Sequence, residues 1–218
     1  MKALVLAGTR GIGKSVARSL ATSCDDVIAP GRDVLDTSDI SMVKKFANDH
    51  PVADVLVLNT GGPPAMPFDE ISEEHWVKYF NQLFLSFMLL LKNVKINDGG
   101  YVFLISSFNI KEPADNLILS NSYRLASWSV LKSLSKRDLH RNISYINIAP
   151  GPTNTDRLKE LAAKDGRSLD EVAQSLPTKR ISDPEEIGKF VKSIVEQRIK
   201  AINGVSINFD MGLSTSVL

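Results

Sequence analysis

One cysteine, Cys24, stands in the whole chain, so no intrachain disulfide and no zinc cluster of several thiolates can form. The three histidines, His50, His75 and His140, share no ligand spacing, and no metal site is expected. An excess of one charge is also missing. The 26 Lys and Arg nearly balance 25 Asp and Glu, leaving a net charge of +1. Nothing in that balance points to nucleic acid or to an anionic membrane. Long hydrophobic runs are absent as well. The longest, Phe84 to Leu91, is broken by Ser86 and ends at Lys92, too short to span a bilayer. The apolar start Met1–Leu6 is too short for the core of a signal peptide. These absences lead to the expectation of a cytoplasmic, soluble protein with no nucleic acid and no membrane as partner.

What is present is an ordinary globular mixture, 43% hydrophobic and 23% charged, over 218 residues. That length suits one domain, 1–218, and no repeat or linker divides it. Short apolar runs at Lys2–Ala7, Val27–Ala29, Val34–Leu35, Val55–Leu58, Tyr101–Ile105, Ile143–Ile148 and Val205–Phe209 read as strands. Helical periods fall between them, at Ile12–Thr22, Ile40–Asn48, Glu70–Lys92, Ser120–Leu139, Asp156–Gln174 and Asp183–Gln197. Such alternation predicts an α/β fold: a Rossmann-like, doubly wound parallel sheet of about seven strands with helices on both faces.

The first strand runs into Ala7-Gly8-Thr9-Arg10-Gly11-Ile12-Gly13 and then into a helix. In that context glycines give the backbone room to approach a pyrophosphate, and the helix N-terminus adds positive charge. The turn resembles that of the short-chain dehydrogenases/reductases, Thr-Gly-x-x-x-Gly-x-Gly, with Leu6 and Ala7 in the places of the family's threonine and first glycine. The resemblance runs along nearly the whole chain. Asp36-Thr37 resembles the element that meets adenine. Asn59-Thr60-Gly61-Gly62 resembles the Asn-Asn-Ala-Gly element beside the adenine ribose. Asn81 falls where the family has its catalytic Asn. Pro150-Gly151-Pro152-Thr153-Asn154-Thr155 resembles the loop that holds the nicotinamide amide, and Asp210-Met211-Gly212 resembles the closing Asp-Gly-Gly. Only Pro30 to Asp33 separates the second run from Val34, so the helix that the family places there is missing.

The resemblance implies a dinucleotide. Arginine rather than an acidic residue follows the second strand, at Arg32, and Arg10 lies inside the turn. Both suit a ribose 2′-phosphate, so NADP(H) is the expected cofactor and NAD(H) the alternative. The family's Ser falls on Ser107. Thirteen residues after Ser107 and thirty before Pro150, the position of the family's catalytic Tyr is Ser120, and that of its Lys is Arg124. Tyr-x-x-x-Lys has therefore become Ser120-Asn121-Ser122-Tyr123-Arg124. Three hydroxyls, on Ser107, Ser120 and Tyr123, remain candidates for the acid. Tyr123 has the better pKa and Ser120 the better register. Arg124 is expected to hold the nicotinamide ribose.

The chain also looks similar to a subgroup labelled 3-oxoacyl-carrier-protein reductases, which carries Asn-Thr-Gly-Gly-Pro and Leu-Ser-Asn-x-x-Arg. Two functions follow as expectations. One is an NADP(H)-dependent oxidoreductase acting on a carbonyl or alcohol. The other is a dinucleotide-binding sensor or scaffold with little turnover. Apolar residues on the long helices, Phe80, Leu83, Phe84, Phe87, Leu91, Trp128 and Leu131, add the expectation of a homodimer or homotetramer.

Overall fold

The structure, a computed structural model, describes residues 1–216. Its elements run β1 (Lys2–Val5), α1 (Gly11–Leu20), β2 (Asp26–Ile28), α2 (Ile40–Asp49), β3 (Val52–Leu58), α3 (Glu73–Phe80), a π-helical turn (Asn81–Leu85), α4 (Ser86–Asn93), β4 (Lys95–Ile105), α5 (Ile118–Arg137), β5 (Ser144–Pro150), α6 (Asp156–Lys164), α7 (Leu169–Ser175), α8 (Pro184–Glu196) and β6 (Val205–Phe209). The strands form one parallel sheet in the order β2-β1-β3-β4-β5-β6.

Alternating side chains divide the core into two layers. Leu4, Leu6, Leu56, Leu58, Val102 and Leu104 point to the face covered by α2, α4 and α5, where Val43, Phe87 and Leu131 meet them. Ala3, Val5, Val55, Val57, Phe103 and Ile105 point to the other face, against Val16 and Leu20 of α1 and Val191 and Ile194 of α8. This double burial explains why the strands read as continuous apolar runs rather than alternating ones. Each fully buried Leu or Val contributes about 1.5–3 kcal/mol.

Among the described residues six strands form, where about seven were expected. Val34–Leu35 is a turn in which the amides of Val34 and Leu35 both donate to the Gly31 carbonyl, at 3.2 and 2.9 Å. The reason is chain length. A parallel neighbour for β2 needs a crossover of about a dozen residues, and the four between Ala29 and Val34 cannot supply one. β4 also starts earlier than expected, at Lys95, because Gly99 at φ +77° lets the strand bulge between its pairing with Ala53 and with Val55.

The expected helix Glu70–Lys92 begins at Glu73, behind a capping box between Ser72 and His75, and widens at Asn81. There the Ser86 amide reaches five residues back to the Asn81 carbonyl. Leu83, Phe87 and Leu131, three of the apolar residues behind the expected assembly, are fully buried inside the chain. The apolar exposure left on α3 and α5 sits at Val77, Phe80 and Leu125. The expected helix Asp156–Gln174 is two helices, divided by Gly166 at φ +65° and restarted by the Ser168 cap. Among the described residues no helix is long and apolar enough to cross a membrane.

Candidate functional site

The loops that leave the carboxyl ends of β1, β3, β4 and β5 gather along one edge of the sheet, the position at which open α/β sheets bind ligands. The glycine turn lies at its centre. Ala7 adopts φ +48° and Gly11 φ +53°. Ala7 thus takes the left-handed conformation for which glycine is better suited, at a cost of roughly 1–2 kcal/mol. Gly13 is required by space. A Cβ there would collide with the Ala7 carbonyl oxygen and stand 2.7 Å from Asn59 Nδ2. Asn59 itself donates to the Leu6 carbonyl at 3.2 Å and so ties the β3 loop to the turn. Ile12 packs its side chain into the core beneath.

The turn is joined to the loop after β2. The Gly8 amide donates to the Pro30 carbonyl at 3.0 Å, and Thr9 packs against Gly31. Arg10 and Arg32 are the next residues on either side of this junction, and both are exposed. Arg32 pairs with Asp36 at 2.8 Å, and Ser38 donates to the same carboxylate from its amide and its hydroxyl. Burial works to raise the pKa of Asp36, but these donors and the Arg32 charge hold it below the usual carboxylate range. Thr37 and Thr60 share a hydrogen bond of 2.8 Å, which links the Asp36 loop to the Asn59-Thr60-Gly61 loop. The Gly61 carbonyl accepts from Gln82 at 2.7 Å. Gln82 belongs to the π-helical turn headed by Asn81. Such widened turns recur at functional sites, but no sequence period marks this one.

Arg124 is the hub of the far end. It is buried, and its guanidinium donates to Ser120 Oγ at 3.2 Å, to the Ile105 carbonyl at 2.8 Å and to the Thr60 carbonyl at 3.3 Å. Burial and, secondarily, the charge of Arg157 lower its pKa to about 10, which leaves it a cation at neutral pH. Ser120 and Arg124 thus meet across one helical turn, as residues four apart should. Ser107 lies two residues past β4 and turns its hydroxyl toward Asn109, 3.1 Å from Oδ1, while accepting from the Asn109 amide. Tyr123 points elsewhere. Its hydroxyl donates to the Trp76 carbonyl at 3.1 Å, and its ring packs edge-on against Trp76 and Phe80. Desolvation raises its pKa further from neutrality.

After β5, the Gly151 amide donates to the Phe209 carbonyl, and Thr153 is buried with its hydroxyl on the Gly151 carbonyl. Pro150 is paired with Phe209 in the sheet. Thr155 caps α6 and lays its methyl group against Gly11, so the β5 loop closes over the glycine turn. Asp210 accepts from the amides of Gly212 and Ser214 and backs this loop. Arg157, two residues past Thr155, was not among the residues expected from sequence. It donates to the Pro63 carbonyl and reaches over Gly62. The signal that could have revealed it is its place in the first turn of a helix, where a cation opposes the helix dipole.

A parallel sheet with a glycine turn at its centre and a Ser–Arg pair at its far end defines the class. Residues 3–214 match the family described as Enoyl-(Acyl carrier protein) reductase, and the chain belongs to that family and with it to the short-chain dehydrogenases/reductases. Among its relatives, an uncharacterized oxidoreductase of Bacillus subtilis, YvaG, is 27% identical, the match covering 99% of this chain and 96% of YvaG. An NADPH-dependent reductase of the same organism, BacG, is 23% identical over 99% of this chain and 98% of its own. The crystal structure of a short chain dehydrogenase family protein from Francisella tularensis superposes with a TM-score of 0.88 at 20% identity, covering 99% of each chain.

Proposed function

We propose that the chain is an NADP(H)-dependent oxidoreductase that moves hydride between the dinucleotide and a carbonyl or alcohol. The observation that carries this reading is the Ser120–Arg124 pair, anchored on the carbonyls of Thr60 and Ile105 at the ends of two neighbouring strands. The residues fit a dinucleotide, since the Gly13 cradle is one that a Cβ would fill, and the open amides at the head of α1 suit a pyrophosphate. When bound, the nicotinamide supplies or accepts the hydride.

The chain's own residues do the rest. Arg10 and Arg32 flank the turn where a ribose 2′-phosphate would lie, and the NADPH dependence of BacG supports that choice over NAD(H). Asp36, Thr37, Asn59, Thr60 and Gly61 shape the adenosine side. Pro150, Gly151, Thr153 and Thr155 cup the nicotinamide side, and Asn81 heads the widened turn beside it. Ser107 and Ser120 orient the carbonyl. In the reducing direction the carbonyl carbon gains hydride, the C=O π bond breaks, and the oxygen takes a proton from water. Arg124 stabilises the negative charge that develops there. A 3-oxoacyl group is one substrate of this kind.

A second reading, a dinucleotide-binding sensor or scaffold, draws on one observation: Tyr123, the hydroxyl with the best acid strength, is tied to Trp76. The exposed Val77, Phe80 and Leu125 support assembly into a homodimer or homotetramer, and the single cysteine fits a cytoplasmic location.

Titration with NADPH and NADH, followed by assay against a panel of ketones and oxo acids, tests the proposal. NADPH should bind at least about tenfold tighter, Arg32→Asp should narrow the gap, and reduction should be measurable but slow. Tighter NADH binding would overturn the cofactor assignment. Tight NADPH binding with no turnover on any ketone or oxo acid would select the second reading.

A further inference from the structure

Arg157 sits in a place that helix stability disfavours, and among the described residues no carboxylate neutralises it closely. It occupies the first turn of α6, where the helix already presents positive charge. Its nearest carboxylate, on Glu160, is 3.9 Å away with a side chain 64% exposed. Arg124 is buried, and among the described residues no carboxylate pairs with it. The two guanidinium groups converge over Gly62. A Cβ on that residue would lie 3.8 Å from Arg124 Nη2 and 3.7 Å from Arg157 Nε. The absence of a side chain at Gly62 leaves the space between them open. Burial holds both guanidinium groups below their usual pKa, and for Arg124 the charge of Arg157 adds to the effect. A buried guanidinium beside a half-buried one favours a counter-charge between them, and among the described residues no carboxylate reaches that point.

We propose that Arg124 and Arg157 together bind a carboxylate of the substrate over Gly62, so that the substrate is an oxo acid or the corresponding hydroxy acid rather than a neutral ketone. This rests on the oxidoreductase reading above. The Nε of Arg157 donates to no acceptor among the described residues, and a guanidinium fork matches the two oxygens of a carboxylate. Ser120 hangs from the same Arg124, which sets the reacting carbonyl only a few atoms from the carboxylate and favours 2-oxo and 3-oxo acids. A 3-oxoacyl thioester has no carboxylate at that distance. The proposal therefore separates this substrate from the acyl-carrier substrates that the subgroup label suggests.

The test uses the full chain saturated with NADP⁺, which binds without reducing the ligand. Calorimetry would follow 2-oxo and 3-oxo acids of several chain lengths and their methyl esters, in wild type and Arg157→Gln, after the NADP⁺ affinity of each has been measured. For the best-fitting skeleton, wild type should bind the acid at least about tenfold tighter than the ester. Arg157→Gln should shrink that ratio to about twofold with little change in NADP⁺ affinity, and Arg157→Lys should recover part of it. Equal binding of acids and esters to NADP⁺-loaded wild type would overturn the carboxylate site alone. Arg157→Gln that weakens NADP⁺ tenfold while leaving the acid-to-ester ratio intact would assign the pair to the phosphates of the dinucleotide and also overturn it. No NADP⁺ binding to wild type would remove the oxidoreductase reading and this proposal with it.

Discussion

At the glycine turn the groups proposed to meet a ligand are backbone amides, whereas at the far end of the site they are the side chains of Ser120, Arg124 and Arg157. The turn has lost the family's first glycine and keeps its shape, because Ala7 accepts the left-handed conformation. The far end carries Ser120 and Arg124 where the family resemblance places Tyr and Lys, and there the proposed chemistry itself differs. A site built from backbone tolerates substitution at the expense of strain. A site built from side chains is redefined by it.

The largest effect should come from filling the turn. Gly13→Ala forces its Cβ onto the Ala7 carbonyl and Asn59, and should destabilise the chain by about 1–3 kcal/mol and weaken NADPH binding at least tenfold. Thermal melts and fluorescence titration would measure both, and an unchanged titration would break the claim that the backbone binds. Next comes Arg124→Met. It strips donors from Ile105, Thr60 and Ser120 while also relieving a buried charge, so a net loss of about 2 kcal/mol is expected by denaturant unfolding. The smallest effect belongs to Ala7→Gly. Relief of the positive φ, less the greater freedom of glycine in the unfolded chain, should add about 0.5–1 kcal/mol, with NADPH affinity nearly unchanged.

The same contrast governs how much could be read from sequence. The order of the strands, the glycine turn and the Asn59 loop were legible because local pattern dictates them. The meeting of Ser120 with Arg124 was legible because residues four apart share a helix face. Val34–Leu35 looked like a strand because its residues favour one, but the chain around it is too short to cross over. The widened turn at Asn81 was hidden, since one added residue leaves the apolar period almost intact. The direction of Tyr123 and the approach of Arg157 to Arg124 depend on tertiary packing. A helical register alone could not decide that Tyr123 turns toward Trp76.

The central claim is that the Ser120–Arg124 corner, not Tyr123, serves the reacting carbonyl. Steady-state reduction of a ketone or oxo acid by NADPH, measured for Ser120→Ala and Tyr123→Phe beside NADPH affinity, tests it most directly. The account predicts that Ser120→Ala lowers kcat/KM at least about tenfold with unchanged NADPH binding, while Tyr123→Phe stays within about twofold of wild type. Activity abolished by Tyr123→Phe and retained by Ser120→Ala would contradict it.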